Sequence, residues 1–285
     1  MTHPSTPLRL ASTTLAVTAF LCAGGAAPAA AQTRAGELAA HLAVYDLKLA
    51  SSRGKSAVSA RGRILYNFTG SVCEGYKLEF RQVSELDNGE GKQTLSDLRS
   101  NTWEDGIGKN YTFASQNYLN QRLVDTVDGK AERQSGWIGV TLTKPKDKKV
   151  ELDAAIVFPT EHVRRIIDAA REGKPILEFP VFDGSETGEK VYNTLTVIGH
   201  EIAPDQKVPT DATAGLPAFV GMKRWPVTVS YFERSAKPGE QIPVYSIGFE
   251  LYENGISRAL MLDYNDFSIS GELRTLEIKD SKACP

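Results

Sequence analysis

Residues 44–49 read VYDLKL, and this short stretch decides the fold class. Tyr45, Leu47 and Leu49 are apolar, and the two residues between them are charged. Successive side chains of a β-strand point to opposite faces of the sheet, so a period of two is typical of a strand with one buried face. The stretch therefore predicts a half-buried β-strand.

The same period recurs along most of the chain. Ile64, Tyr66 and Phe68 repeat it, and so do residues 76–81 and 150–153. Aromatic and β-branched residues are frequent in these runs, as is typical of strands. Further strands are predicted at 94–104, 109–118, 121–127, 133–143, 176–182, 190–201, 226–235, 243–253, 256–264 and 266–279.

Turn signals separate the predicted strands. Asp128-Gly129 and Asn254-Gly255 are pairs that favour the two-residue type I′ hairpin turn, in which both residues have positive φ. We therefore predict a tight hairpin at each pair.

One segment departs from the strand period. Between residues 161 and 172 apolar side chains recur at helical spacing, with Arg164, Arg165 and Arg171 on the side left for solvent. This spacing predicts a helix of about three turns.

The ends of this helix carry signals of their own. Thr160 is predicted as the N-cap, and Gly173 is predicted to end the helix. His162 falls in the first turn, where we interpret it as a surface residue. A second, shorter helix is predicted near residues 37–42.

These elements predict an all-β protein with one main α-helix. A flat, open sheet of about a dozen strands would accumulate twist and expose long edges. We therefore expect an antiparallel sheet that curls into a barrel, an open barrel or a sandwich. The helix could fill the interior, cap one end or lie outside.

The N-terminus predicts export. Residues 1–31 have the three parts of a cleavable signal peptide: a short basic region, an apolar region over 10–21, and small residues before a cleavage site between Ala31 and Gln32. Residues 32–285 would then form a single, soluble domain in an oxidising compartment.

Charge and motifs exclude several functional classes. The formal net charge is -2, which gives no attraction to nucleic acid. We predict no cofactor and no metal site, because no His/Cys cluster has zinc spacing. His162 and His200 are the first candidates for catalysis, but no nucleophile motif accompanies them. A hydrolase is kept only as the alternative to a protein that is not an enzyme.

Three tryptophans have two interpretations. Trp103, Trp137 and Trp225 could line a pocket or bind a glycan. Buried indoles in a β core are the more common case, and we predict that role for all three.

Cys73 and Cys284 are the cysteines that remain after signal cleavage. An even pair in an exported protein favours a disulfide, which would tie the end of the chain to its first third. Two free thiols, or a catalytic cysteine, are the alternatives.

A family resemblance emerges once several segments are considered together. The chain resembles the EipB family of periplasmic envelope-integrity proteins from alphaproteobacteria, over residues 41–284. The similarity depends on an ordered set of segments and on no catalytic signature. These segments are VYDLKL at 44–49, GRILYNFTGSVCEGY at 62–76, SDLRSNTWEDG at 96–106, SQNYLN at 115–120, VDGKAER at 127–133, FPTEHVRRIIDAAREG at 158–173 and VFDGSETGEKVY at 181–192.

The resemblance implies a monomeric periplasmic protein with a spiral-like, broken antiparallel β-barrel. It also implies a disulfide between Cys73 and Cys284, and a role in the integrity of the cell envelope. Two mechanisms are expected for that role: binding of an apolar or lipid-like ligand in the barrel groove, or docking of another envelope protein.

Overall fold

The computed structural model describes residues 37–53, 57–206, 210–234, 242–282 and 284. The predicted signal peptide and its cleavage site at Ala31 and Gln32 lie outside these residues. Among the described residues, no helix is both long and apolar enough to cross a membrane.

Fourteen strands make up most of this part of the chain, as the alternation predicts. Most of the predicted strands lie within a few residues of an observed one. The strands are β1 (His41–Ser52), β2 (Ser59–Ser71), β3 (Gly75–Asp87), β4 (Gln93–Glu104), β5 (Asn110–Leu119), β6 (Arg122–Arg133), β7 (Trp137–Lys144), β8 (Lys148–Asp153), β9 (Ile176–Val181), β10 (Tyr192–Ile198), β11 (Arg224–Glu233), β12 (Tyr245–Tyr252), β13 (Ser257–Asp263) and β14 (Phe267–Ile278).

All fourteen strands form one antiparallel sheet, in the order β8-β7-β6-β5-β4-β3-β2-β1-β14-β13-β12-β11-β10-β9. The first and last strands pair with each other at its centre. The two edge strands, β8 and β9, are consecutive in sequence. They are not paired with each other, but Val157, just after β8, forms a parallel bridge with Val181 of β9. The sheet is therefore a coil that stops short of a closed barrel, which confirms the predicted fold class.

The helix α1 (Pro159–Arg171) lies inside the coil. Ile166 and Ile167 pack in one cluster with Phe68 of β2, Trp225 of β11 and Leu251 of β12. Strands from both halves of the sheet thus contact the same helix. Phe68 and Leu251 lie near the β2–β3 and β12–β13 turns, so we call this the helix end of the coil.

The helix begins differently from the prediction. Its N-cap is Phe158, Pro159 opens the first turn, and Thr160 lies inside that turn without capping it. Glu104 of β4 replaces a local cap, because its carboxylate accepts the backbone N–H groups of Thr160 and Glu161 at 2.7 and 2.8 Å. At the other end Gly173 has a φ of 71°, which suits its predicted role.

Two other local predictions were wrong, and a third was only partly right. No helix forms at residues 37–42, because the Ala39 N–H donates to the Asn254 carbonyl and β1 begins at His41. Asp128-Gly129 is not a turn: it lies within β6, at a bulge where β6 pairs with β7. The hairpin lies instead at Asn120-Gln121, where both residues have positive φ. At Asn254-Gly255 the turn is present, but only the glycine has positive φ.

Candidate functional site: the open end of the coil

One face of the sheet, which we call the inner face, lines the coil. Tyr45, Leu47 and Ile64 mark it, since all three are almost completely buried. Residues that are directly paired on neighbouring strands lie on the same face of the sheet, so the pairing identifies the inner positions of every strand. At the helix end these positions are filled by α1 and its neighbours.

The opposite end is less filled, and we call it the open end. On β11, Trp225, Val227 and Val229 are buried, whereas Tyr231 is only half-buried. On β12, Leu251 is buried and the inner positions before it are half-buried. β3, β4 and β5 are also less buried overall toward the open end. These half-buried, inward-pointing side chains outline a recess that is less filled than the helix end.

Small residues create this recess. Phe80 pairs with Ser100, and Ser100 pairs with Ser115, so two serines lie side by side on the inner face of β4 and β5. Each is half-buried. Their small side chains leave more room on the inner face than large residues would.

Tyrosines form the facing wall of the recess. Tyr231 and Tyr245 stack with ring centroids 4.4 Å apart, and Tyr192 meets both edge-on. Burial raises the pKa of Tyr231 and of Tyr245 above the usual value for a phenol, although both rings remain partly exposed. The rings are therefore largely surrounded by protein and keep some contact with solvent.

The strand walls of the recess carry little charge, whereas Tyr192 of the tyrosine wall donates to Glu186 and lies beside Lys190. The inner positions of β3, β4, β5 and β12 carry one ionisable carboxylate, Glu104, and it lies at the helix end, bound to α1. Burial raises the pKa of Glu104 to about 7. Aromatic rings, aliphatic groups and a few hydroxyls remain, a composition that suits an apolar or amphipathic ligand.

The candidate histidines lie in different surroundings. His162 is buried on α1, contrary to the prediction, because α1 is inside the coil and its ring meets Phe179 edge-on. Burial lowers its pKa to about 4, helped by nearby Arg165. His200 is exposed, just after β10.

The three tryptophans were predicted to be buried in the β core. This is confirmed for Trp225 and wrong for Trp137, which is 40% exposed, and for Trp103, which is half-buried.

The two cysteines meet at the helix end. Cys73, in the β2–β3 turn, and Cys284 form a disulfide with Cα atoms 5.6 Å apart. An ion pair of 2.9 Å between Lys282 and Glu74 holds the same tail. The end of the chain is thus fastened beside the turn that precedes β3.

One buried ion pair had no sequence signal. Arg258 of β13 is 1% exposed, and its guanidinium donates to the carboxylate of Asp211 and to the Tyr252 hydroxyl. Asp211 lies in the long connection between β10 and β11, which this contact fixes against the sheet. The two residues are 47 positions apart, so no local pattern could link them.

Known proteins show where this architecture recurs. A family model described as EipB-like matches residues 32–280. The chain belongs to the EipB-like family. The cell envelope integrity protein EipB of Brucella abortus (strain 2308) is 38% identical over 277 residues, which is 96% of each chain. This relative supports the family that the ordered segments imply.

A solved structure supports the fold. The crystal structure of a beta-barrel-like protein from Brucella abortus, with a domain of unknown function, matches with a TM-score of 0.79 at 37% identity. The match covers 85% of this chain and 99% of that one. The barrel-like description agrees with the coiled, unclosed sheet.

Proposed function

We propose that the protein is a periplasmic, non-enzymatic component that maintains the cell envelope by binding an apolar or amphipathic ligand, such as an acyl chain, in the recess. The EipB-like family gives it an envelope-related role. The predicted N-terminal signal and the disulfide support a periplasmic location.

The observation that carries this proposal is the change in burial along the inner face. Burial is complete around α1 and partial at the open end, across β11 and β12. A sheet of this length encloses more space than its side chains fill. Desolvation of the exposed inner rings would supply the binding energy.

Two alternatives have less support. A hydrolase needs an ionisable group that can reach its substrate, whereas His162 is buried, and Glu186 and Lys190 at the tyrosine wall are paired with each other. A partner that extends the sheet needs a free, uncharged edge. β8 carries Lys148, Lys149, Glu151 and Asp153, and such charges protect an edge from pairing.

Mass spectrometry of bound lipid tests the proposal. Protein is purified from the periplasm without detergent, extracted with organic solvent and analysed for acyl-containing molecules. We expect a stoichiometric lipid-like species with the wild type and its loss with Ser115→Phe, which fills the recess.

The matched control is Gln116→Phe, which adds the same ring to the exposed face of β5. It should retain the bound species. Extracts without any such species, or equal amounts from both variants, would contradict the proposal.

A further inference from the structure

A second concave surface lies on the face of the sheet opposite the core. On β5, β6 and β7 the residues Tyr111, Ala131 and Val140 are buried, so the neighbouring positions face the other way. There the sheet forms a groove of about 470 Å³ across β3 to β7. Its volume falls within the range of about 300–1,000 Å³ that is usual for small-molecule sites.

The strand register explains the groove. Lys77, Trp103, Thr112, Lys130 and Thr141 are directly paired in that order, so they form one row across five strands. Strands are about 4.8 Å apart, which puts the two lysines roughly 14 Å from each other. Thr112, the small side chain in the middle of the row, makes the floor of the groove, and the larger side chains on either side of it form the walls.

A second row deepens the floor. Asn101 pairs with Ala114, and Ala114 pairs with Asp128. The methyl group of Ala114 is thus flanked by an amide and a carboxylate. Thr143 donates a hydrogen bond of 3.1 Å to one oxygen of Asp128, which positions that carboxylate at the groove.

Trp103 is held rigidly at one wall. Its indole N–H donates to the Glu74 carbonyl at 3.2 Å. Its ring lies directly over Gly75, where an added Cβ would approach the ring to 2.6 Å. An aromatic platform that is fixed before binding loses little entropy on contact with a ligand.

The polar groups surround an apolar centre. Threonine hydroxyls, an amide and a carboxylate offer both donors and acceptors to a polyhydroxyl ligand. Lys130 is exposed, and among the described residues no carboxylate lies at ion-pair distance from it. Lys77 is paired with Glu79 at 2.6 Å, but both side chains are exposed and the pair can open at little cost.

We propose that this groove binds a glycan strand that carries carboxylate groups, with a sugar ring stacked on Trp103 and a carboxylate paired with Lys130. A sugar ring has an apolar C–H face and a hydroxyl rim, and the groove has an indole face inside a polar rim. An acyl chain fits less well, because the hydroxyls and Asp128 would lose water without gaining partners.

Isothermal titration calorimetry of the mature protein and its variants measures affinity at this site, and tryptophan fluorescence of the wild type reports contact with Trp103. The probes are muropeptides from a muramidase digest of peptidoglycan, uncharged chitotetraose, and lauric acid. We expect both sugars to shift the emission and to bind about tenfold more weakly to Trp103→Ala. Lys130→Gln should weaken muropeptide binding about threefold and leave chitotetraose unchanged.

Two further variants separate binding from folding. Ala114→Leu fills the floor and should abolish sugar binding while the Trp103 platform stays intact. Trp137→Ala removes an exposed indole outside the groove and should leave both affinities unchanged. Circular dichroism verifies that each variant is folded.

Three results would overturn the site. The first is the absence of any response to either sugar. The second is equal sugar affinity in wild type, Trp103→Ala and Ala114→Leu. The third is displacement of the sugars by lauric acid together with weaker lauric acid binding in Ala114→Leu, which would assign the groove to acyl chains.

Discussion

Removal of the disulfide should destabilise the protein strongly. Cys73 and Cys284 are 211 positions apart. In the chain-entropy model, a closed loop of that length lowers the entropy of the unfolded state enough to stabilise the fold by about 5 kcal/mol. For a domain of this size each kcal/mol changes Tm by about 2–4 °C. The double variant Cys73→Ala/Cys284→Ala should therefore melt roughly 10–20 °C below the oxidised wild type.

The structure adds a local consequence. The tail that carries Cys284 also carries Lys282, whose ion pair with Glu74 adjoins the carbonyl that accepts the Trp103 indole N–H. Release of the tail should therefore loosen Trp103. We expect a change in tryptophan emission below the melting transition, a signal that global stability alone does not produce.

Differential scanning calorimetry under two conditions provides the assay. With no reductant the double variant should melt well below the wild type. After full reduction of the wild type, the two melting temperatures should coincide, which is the internal control. Equal melting temperatures for the variant and the oxidised wild type would show that the tether contributes nothing.

Three further changes test the packing of the interior. Burial lowers the pKa of His162 to about 4, so the folded protein favours the neutral imidazole, and acidification from pH 6.5 to pH 4 should lower the free energy of unfolding by about 3 kcal/mol. Urea titrations across this pH range should show that His162→Phe lacks this loss. Parallel pH profiles for the wild type and the variant would contradict the prediction. Ile167→Ala should lower the free energy of unfolding by about 3 kcal/mol in the same titrations, because Ile167 is buried where α1 packs inside the coil. A change near zero would place the helix outside the coil. Arg258→Met should lower the free energy of unfolding by roughly 3 kcal/mol, because it removes the guanidinium that pairs with the Asp211 carboxylate. The double variant Arg258→Met/Asp211→Asn should recover part of this loss, and no recovery would refute the pairing.

Much of the strand pattern was predictable because a half-buried strand shows its two faces in the sequence. VYDLKL lies within β1, and the segments predicted at 243–253, 256–264 and 266–279 match β12, β13 and β14 within a few residues. The period of two was sufficient wherever one face packs inward and the other faces solvent. The family resemblance has a separate basis, the ordered set of segments quoted above.

The local predictions that were wrong have a common physical cause. In each case a contact with a residue distant in sequence overrode the preference of the local sequence. Asp128-Gly129 favours a turn locally, but pairing on both sides keeps it within β6. Thr160 is a good N-cap by type, yet Glu104 from β4 supplies the carboxylate. His162 is buried only because α1 enters the coil, which a helical period cannot reveal.

The candidate site was only partly predictable. A long sheet predicts an interior, but not where it remains unfilled. The recess depends on Ser100 and Ser115, which are adjacent in register and 15 positions apart in sequence. Likewise the row from Lys77 to Thr141 exists only through pairing across five strands.

Titration with the fluorescent apolar probe N-phenyl-1-naphthylamine tests the open recess most directly. Mature wild-type protein stripped of bound lipid should bind one probe per chain with a large gain in emission. Gln116→Phe should bind equally, and Ser115→Phe should bind none while its circular dichroism stays unchanged. Undiminished binding by Ser115→Phe, or no binding by the wild type, would contradict the claim that the coil is open at this end.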